Sequence, residues 1–452
     1  MLAGAALAAA GCAPAGEAEA FDGGDVVLLT LDTTRADHLG CYGYFRDTSP
    51  RLDELAEEAV LFERCLVPMA TTLPTHTSML TAVWPEEHGV LANLRRQTVY
   101  ERDPSLVTLT ELFAEAGYAT GAFVSAFPLR REAGLANGFE VYDQPEDRQR
   151  SAEVTTNTAL QWLDGVGDRP LFLWVHYFDP HSPYIPPAPY AKMFHKSPEL
   201  SGWLEEREIG RVRRRQSRRK GRPVVAEEDT NLYDGEIAYM DHHVGRLLDA
   251  LRERERWAGT VVAVVGDHGE GLNQHDEAGH GLVWDEQIRV PFLLRAPGLA
   301  AARRSDLVSV VDLSPTLLSL VGLPGSGPLF ERASGLDLLS TDFEPRPLLA
   351  QTSDRKEQFG EEVIALTTPR WKYLDLGTEG EELYDLENDP HELVNLATER
   401  PEVLLELRAK AVGTVEAQRA RRAGGEAREA TDEERAALEE LGYGGGGSDE
   451  EE

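Results

Sequence analysis

The sequence predicts an α/β fold in which helices flank a large, mixed and mostly parallel sheet, with a small antiparallel subdomain near the carboxyl end. Apolar runs of strand length recur along the chain, segments with helical periodicity lie between them, and short extended segments replace both after about residue 335. A chain of 452 residues with 41% hydrophobic residues can bury a core of this size. We therefore assign residues 24–335 to a main domain and residues 336–415 to a C-terminal subdomain.

The apolar runs are continuous rather than alternating, which is typical of strands buried on both faces of a parallel sheet. The first of them, VVLLTL, occupies residues 26–31. Further strands of the main domain are predicted at residues 120–124, 171–175, 261–265 and 291–294. In the C-terminal subdomain, short strands are predicted at residues 363–366, 371–374 and 382–384.

Helical segments separate the strands, so the connections are crossovers that place helices on both faces of the sheet. In the main domain, helices are predicted at residues 50–59, 77–81, 109–116, 154–163, 234–251 and 314–321. The subdomain is predicted to end in a helix at residues 401–412.

Charge is distributed unevenly in this chain. The net charge of −34 argues against nucleic acid as the main partner, because phosphate backbones attract basic surfaces. Residues 207–222 nevertheless hold nine basic residues, which we interpret as a solvated insertion or, alternatively, as a collar for an anionic substrate or acidic lipid headgroups. Residues 423–452 form an acidic tail with a short helix predicted at residues 432–441.

The N-terminal segment, residues 1–20, has an Ala/Leu-rich stretch followed by small residues and Cys12. It resembles a bacterial lipoprotein signal without the usual basic start, and the alternative is a flexible Ala-rich N-terminus. A lipid on Cys12 would anchor the protein on the periplasmic side of the bacterial cell envelope. This lipid is the only membrane contact that we predict.

Polar residues at two strand ends are candidates for binding a metal ion. Asp32 comes directly after the first strand, and Asp267 and His268 come directly after the strand VVAVV and one glycine. In open α/β sheets, ligands bind at the carboxyl ends of the strands. Carboxylate and imidazole together favour zinc or manganese, and calcium and magnesium remain alternatives.

Hydroxyl and imidazole side chains are the candidates for chemistry on a substrate. Thr72 lies in a run of hydroxyl residues before an apolar helix face, which is also what an ordinary helix N-terminus looks like. A helix N-terminus can hold an anionic group beside a hydroxyl nucleophile. His181 and His280 lie in Gly- and Pro-rich loops and are candidates for proton transfer or oxyanion binding.

Ordered motifs in these same regions resemble those of the sulfatases, within the alkaline phosphatase superfamily, over about residues 24–400. The motifs are DTTRADHLGCYG, TLPTHTSMLTAVWPEEHGV, GDHGEGLNQHDEAGHG, DEQIRVPFLLRAPG, VVDLSPTLLSLVGLP and ELYDLENDPHELVNLA. The resemblance implies a large α/β catalytic domain with a smaller antiparallel C-terminal domain. It implies that Asp32, Asp267 and His268 bind a divalent metal ion and that Thr72 is a nucleophile in contact with that ion.

The resemblance also implies roles for four further residues. Asn93 stands where related enzymes bind the oxyanion, and His181 matches a substrate-binding histidine in a Pro-His-x-Pro loop. His280 stands where a family Lys or His contacts an oxygen of the transferred group or of the leaving group. His76 occupies the position of a family arginine and is a second candidate for assisting the leaving group.

The nucleophile motif departs from that of the usual sulfatases. These have Cys or Ser where this chain has Thr72, and they oxidise it to formylglycine, an aldehyde that threonine cannot form. The pattern Thr-x-Pro-x-His instead resembles nucleotide pyrophosphatase/phosphodiesterases. Those enzymes bind a second metal through further Asp and His residues. This chain shows no clear second set of ligands, and Asp179 and His181 are only the nearest approximation to one. We therefore expect one ion.

The motifs therefore predict a metal-dependent hydrolase that cleaves phosphate or sulfate esters through a covalent Thr72 intermediate, with a preference for phosphoesters. The expected partner is a small anionic ester, a glycan or a lipid headgroup. One alternative is a sulfuric ester hydrolase, arylsulfatase-like, that works without formylglycine. A second is a lipid-anchored pseudoenzyme that binds an anionic glycan, and a third is transfer to a lipid or sugar instead of water.

Overall fold

The computed structural model describes residues 24–93, 98–103, 105–146, 149–209, 226–323, 331–352, 359–360, 362–429 and 431–432. The predicted signal segment, most of the basic insertion and the acidic tail beyond residue 432 lie outside the described residues. None of the helices in the described part of the chain combines the length and the apolar content needed to cross a bilayer.

A mixed sheet forms the centre of the main domain. The strands in chain order are β1 (Val26–Leu31), β2 (Val60–Leu66), β3 (Thr98–Arg102), β4 (Ala119–Phe123), β5 (Val141–Asp143), β6 (Leu171–Tyr177), β7 (Val261–Gly266), β8 (Arg289–Val290), β9 (Phe292–Arg295), β10 (Ala302–Ser309), β11 (Leu348–Thr352), β12 (Val363–Thr367), β13 (Trp371–Asp375), β14 (Glu381–Asp385) and β15 (Gly425–Glu429). Within the described residues the large sheet has nine strands in the order β10-β2-β9-β7-β1-β6-β4-β5, with β8 paired to β2. The pairings of β9 with β7 and β2, and of β8 with β2, are antiparallel, and the other pairs are parallel.

Helices cover both faces of this sheet. In chain order they are α1 (Pro50–Ala56), α2 (Thr72–Thr81), α3 (Pro85–His88), α4 (Leu109–Glu115), α5 (Ala152–Gly165), α6 (Pro198–Glu206), α7 (Ala226–Arg252), α8 (Asp285–Ile288), α9 (Leu313–Leu320) and α10 (Pro401–Ala420). Apolar residues of α2, α4 and α9 share one core with Val26 and Leu28 of β1, whereas those of α1, α5 and α7 share the opposite core with Val27 and Leu29. Alternate residues of β1 thus face opposite cores, which explains why its sequence is apolar throughout.

The C-terminal subdomain contains a separate antiparallel sheet in the order β11-β12-β13-β14. One face of it packs on the main domain through residues such as Ala350 and Leu374. The other face, including Leu366 and Tyr373, is covered by α10. Together with the mostly parallel main sheet, this architecture confirms the predicted fold class.

Several elements differ from the sequence prediction. Helix α2 begins at Thr72 instead of residue 77. The hydroxyl residues of its first turns, which the prediction places before the helix, are fully buried and belong to it. Strands β2 and β10 pair in parallel at one side of the sheet and were not predicted, since polar residues such as Arg64 and Asp306 interrupt their apolar pattern. Residues 425–429, assigned to the acidic tail, form β15 and pair with β3.

Candidate active site

Two adjacent strands bring the predicted metal-binding carboxylates together. Asp32 directly follows β1 and Asp267 directly follows β7, and these strands are parallel neighbours with Leu31 opposite Gly266. Both carboxyl side chains are fully buried. The carboxyl ends of parallel strands meet at one edge of a sheet, so residues 235 positions apart become neighbours by topology alone.

The orientation of Asp267 is set by backbone groups. Its Oδ1 accepts hydrogen bonds from the N–H of Thr33, at 3.2 Å, and from the N–H of His268, at 2.7 Å. Thr33 has a φ of +49°, a left-handed conformation that is costly for a β-branched residue and that aims its N–H at this carboxylate. Asp267 Oδ2 is buried and has no hydrogen-bond partner.

The imidazole of His268 completes a group of ligand atoms. Its Nδ1–H donates to the carbonyl of Gly269 at 3.0 Å, which leaves the lone pair of Nε2 facing the two carboxylates. Nε2 lies 3.7 Å from Asp267 Oδ2 and 3.9 Å from Asp32 Oδ1. Asp32, Asp267 and His268 each offer one ligand atom within 4.8 Å of the others.

A cation fits among these three residues on physical grounds. Asp32 Oδ1 and Asp267 Oδ2 are buried without a hydrogen-bond partner, and burial raises the pKa of both carboxyl groups. Two neighbouring buried carboxylates are stable as anions only beside a positive charge. Atoms that bind one ion at about 2.1 Å lie roughly 3.4 Å apart, which is close to the separations observed here.

Helix α2 brings a hydroxyl group to the same place. Thr72 is the first residue of the helix and is 1% exposed. Its Oγ1 lies 3.4 Å from His268 Nε2 and 3.5 Å from Asp32 Oδ2. The predicted nucleophile and the predicted metal ligands therefore occur together in the folded chain.

Two further predicted residues contact the first turn of α2. Asn93 accepts a hydrogen bond from the N–H of Leu73 through Oδ1, at 2.9 Å, so its Nδ2 group remains as a donor beside the nucleophile. His76 lies beneath Thr72, where its Nδ1–H donates to the Thr72 carbonyl at 2.8 Å. Burial lowers the pKa of His76 well below its ordinary value, so the imidazole is neutral.

His181 and His280 lie together on the open side of the site, with ring centroids 5.1 Å apart. The ring of His280 is also 4.3 Å from that of His268, so His280 neighbours the ligand group. Burial by itself lowers the pKa of His280, but the nearby carboxylate of Glu270, with Oε1 at 3.5 Å from His280 Nδ1, outweighs burial and raises it. His181 is fixed by stacking on Phe178, at 4.3 Å, and by a bond from Nδ1–H to the Ser182 carbonyl.

Sequence reasoning missed two residues of this site, His176 and Glu270. His176 is the only histidine in the buried strand β6, and its Nε2 lies 3.2 Å from Asp32 Oδ2. The available signal was a histidine near the end of an otherwise apolar strand, although the sequence does not show which strand lies beside it. Asp179, the nearest approximation to a second metal ligand, instead accepts the N–H of Ala152 at the start of α5.

A mostly parallel sheet with carboxylates, imidazoles and a helix-borne hydroxyl at its strand ends is an arrangement that could hold a metal ion beside a nucleophile, as metal-dependent hydrolases do. The family model Sulfatase matches residues 24–323, and a second model, N-sulphoglucosamine sulphohydrolase C-terminal, matches residues 275–412. The chain belongs to the sulfatase family, within the alkaline phosphatase superfamily, and is an ester hydrolase. Enzymes of this family are metal-dependent.

Known relatives span most of the chain. An arylsulfatase of Clostridium perfringens is 24% identical over 444 residues, covering 82% of this chain and 90% of that protein. The human iduronate 2-sulfatase is 25% identical over 383 residues, covering 66% of this chain and 69% of its own length.

Solved structures share the fold. A phosphonate monoester hydrolase of Agrobacterium radiobacter has a TM-score of 0.71 at 21% identity, covering 88% of this chain and 96% of that chain. A 2-O GAG sulfatase has a TM-score of 0.68 at 19% identity, covering 88% and 93%.

Proposed function

We propose that this protein hydrolyses phosphoesters through a covalent intermediate on Thr72. The observation that carries the proposal is the position of the Thr72 hydroxyl, 3.5 Å from Asp32 Oδ2 and 3.4 Å from His268 Nε2 at the start of a buried helix. A hydroxyl held among ligand atoms, with a helix N-terminus beside it, suits attack on an anionic ester.

The identity of the nucleophile favours phosphoesters over sulfate esters. Threonine carries a methyl group on the carbon that bears its hydroxyl, so oxidation cannot give the formylglycine aldehyde of the usual sulfatases. The remaining nucleophile is an alcohol, and the intermediate is then an ordinary ester of Thr72 with the transferred group.

Asp32, Asp267, His268 and the Thr72 hydroxyl would hold one divalent ion. When bound, that ion lowers the pKa of the hydroxyl and polarises an oxygen of the transferred group. A ligand set of two carboxylates and one imidazole favours zinc or manganese.

The covalent step would proceed at Thr72, with neighbouring groups binding the oxygens of the phosphoryl group. Thr72 Oγ1 gives its proton to solvent and forms a bond to phosphorus as the bond between phosphorus and the leaving oxygen breaks. The Nδ2 group of Asn93 and the backbone N–H of Thr72 stabilise the equatorial oxygens, because the N–H of Leu73 is bonded to Asn93 and Pro74 has none. Water then attacks phosphorus, which releases the product and restores the Thr72 hydroxyl. His181, whose Nδ1–H is bonded to the Ser182 carbonyl, presents the lone pair of Nε2 and lies beside His280 on the open side of the site.

We assign protonation of the leaving oxygen to His280. It lies on the open side of the site, and Glu270 Oε1, 3.5 Å from its Nδ1, favours the imidazolium form. His76 was the other candidate, but it is 1% exposed and its Nδ1–H is bound by the Thr72 carbonyl. We therefore give His76 the task of holding the first turn of α2.

Sulfate esters are the second candidate substrate, because the family model and the curated relatives are those of sulfatases. The test compares p-nitrophenyl phosphate, bis(p-nitrophenyl) phosphate, p-nitrophenyl phenylphosphonate and p-nitrophenyl sulfate with zinc- and manganese-loaded protein. We expect kcat/KM for a phosphorus ester to exceed that for the sulfate by at least about tenfold, or about 1.4 kcal/mol. A higher kcat/KM for the sulfate would contradict the preference.

The physiological substrate is proposed to be a small anionic ester on a glycan or lipid headgroup, in the bacterial cell envelope. The proposed anchor, a lipid on Cys12, belongs to a segment outside the described residues. Labelled palmitate tests the anchor: incorporation should occur in the wild type and disappear in Cys12→Ala, which should leave the membrane fraction. Equal labelling of both proteins would contradict the anchor.

A further inference from the structure

His176 has no role in the proposed reaction, although it lies inside the site. It is fully buried near the end of β6, beside Thr30 of β1. Its two ring nitrogens have different neighbours. Nε2 lies 3.2 Å from Asp32 Oδ2, and Nδ1 lies 3.4 Å from the backbone nitrogen of Ser125, which follows β4.

The neighbour of Nδ1 decides where the ring proton is. A backbone N–H is always a donor, so Nδ1 of His176 must accept the hydrogen bond from Ser125. The proton of the neutral ring is then on Nε2, and Nε2–H donates to Asp32 Oδ2. Ser125 also donates its hydroxyl to the carbonyl of His176 and is itself bonded to Thr155 Oγ1 at 2.8 Å, so the donor to Nδ1 is held in place.

This proton position argues against a second ion at His176. His76, His176 and Asp267 also form a group whose ligand atoms lie within 4.8 Å of one another. A ligating imidazole must present a bare nitrogen to the ion, and moving the proton to Nδ1 would place it against the N–H of Ser125. The geometry therefore favours a hydrogen bond over a coordinate bond.

We propose that His176 is a positioning residue that donates Nε2–H to Asp32 Oδ2 and so fixes how Asp32 presents Oδ1 to the divalent ion. The inference rests on the proposed ion at Asp32, Asp267 and His268, and it assigns a further residue to that site. Asp32 Oδ1 is buried without a hydrogen-bond partner, as expected of an oxygen reserved for an ion. Partners that orient metal ligands typically contribute about 10- to 100-fold in metal affinity.

The test measures binding of Zn²⁺ and Mn²⁺ to the metal-free protein by calorimetry and by competition with a chelator, without any substrate. His176→Leu removes the donor and keeps an apolar side chain of moderate size. His176→Gln keeps an N–H donor at the distance of Nε2. We expect one equivalent of ion in the wild type, an affinity about 10- to 100-fold lower in His176→Leu, and recovery of most of that loss in His176→Gln.

His88→Leu is the matched control. His88 is equally buried, its Nδ1 accepts the N–H of Val90 at 3.0 Å, and its Nε2 lies 3.0 Å from Ser78 Oγ. Its Nδ1 likewise accepts a backbone N–H, but its Nε2 meets a hydroxyl group of α2 instead of a carboxylate of the proposed ligand set, so His88→Leu should bind the ion as the wild type does. Circular dichroism melts of all variants report whether each one is folded.

Three results would overturn the inference: unchanged metal affinity in His176→Leu, an equal loss in His88→Leu, or two equivalents in the wild type with one absent from His176→Leu. The last result would make His176 a ligand of a second ion. Failure of the proposed function looks different. A wild type that binds one ion more tightly than His176→Leu, yet hydrolyses none of the four esters, would keep His176 as a positioning residue and remove the activity.

Discussion

The hydroxyl oxygen of Thr72 lies 3.4 Å from Nε2 of His268, although 196 residues separate them along the chain. His268 reaches this point because β7 ends beside β1, and Thr72 reaches it because α2 begins there. Two independent elements thus converge on one position. Capping a helix does not require a side chain to contact a strand-end imidazole and a carboxylate, so the position of Thr72 indicates a role beyond capping.

We predict that Thr72→Ala lowers kcat by about 10³-fold or more, because it removes the atom that forms the covalent bond. Thr72→Ser keeps a hydroxyl at the same position and should retain most of the activity. The rates are measured with the best ester of the proposed panel, and intact-protein mass spectrometry of quenched reactions should show an adduct in the wild type and none in Thr72→Ala. Turnover by Thr72→Ala near the wild-type rate would exclude Thr72 as the nucleophile.

Asn93 allows binding of the oxyanion to be separated from helix capping. Asn93→Asp keeps an oxygen that accepts the N–H of Leu73 but replaces the Nδ2 donor by a negative oxygen. We expect kcat/KM to fall by about 10²- to 10³-fold, as on loss of an oxyanion donor, while the melting temperature stays near that of the wild type. A fall in stability with unchanged kcat/KM would show that Asn93 only caps α2.

The predicted metal ligands could be found from the sequence because they obey a rule of topology. Asp32 and Asp267 each follow an apolar strand, and parallel strands end at one edge of their sheet. The fold class followed from the same runs. The start of α2 was placed five residues late, because Thr72 and its neighbours have hydroxyl side chains that favour caps as often as helix interiors.

His176 and Glu270 could not be recognised in the same way. The position of His176 depends on which strands are neighbours, and the chain does not state that β6 lies beside β1. Glu270 is fully buried because the loop after His268 folds back on itself, and no periodic pattern encodes that path. Strand β2 was missed because Glu63 and Arg64 interrupt its apolar residues, and these contact side chains and backbone outside the sheet core.

Lys372 connects the subdomain to the main domain and should be important for stability. It lies on β13 with no exposed side-chain surface, 2.7 Å from Asp285 Oδ1 and 2.5 Å from Glu392 Oε1. Lys372→Met would leave the buried Glu392 and the partly exposed Asp285 without their cation, which costs about 3 kcal/mol, the lower end of the range for breaking a buried pair. We expect the free energy of unfolding in urea to fall by about that amount.

Lys410→Met is the control for this substitution. Lys410 pairs with Glu406 at 2.8 Å, but the two side chains are 51% and 63% exposed, and such pairs contribute less than about 0.5 kcal/mol. If the two substitutions lowered the free energy of unfolding equally, the buried Lys372 ion pairs would contribute no more to stability than a surface ion pair does.

His275 should make stability depend on pH. It lies in the loop that carries His280 and donates from both ring nitrogens, Nδ1 to Glu286 Oε1 at 2.9 Å and Nε2 to the Glu392 carbonyl at 3.0 Å. A ring that donates twice is an imidazolium. Burial by itself lowers the pKa of His275, but the charge and hydrogen bond of Glu286, followed by the charge of Glu392, raise it to about 9.

Because this folded-state pKa lies above the unfolded value of about 6.5, the stabilisation is complete below pH 6.5 and is lost as the pH rises to about 9. The difference between the two pKa values corresponds to at most about 3 kcal/mol. Urea unfolding of the wild type and of His275→Gln between pH 6 and pH 9.5 measures this pH-dependent stabilisation. The gap between their free energies of unfolding should narrow with rising pH, since Gln does not titrate, and the other ionising groups are common to both proteins. Two curves that stay parallel across this range would show that His275 is not protonated in the folded chain, and that the loop carrying His280 is held by neutral hydrogen bonds instead.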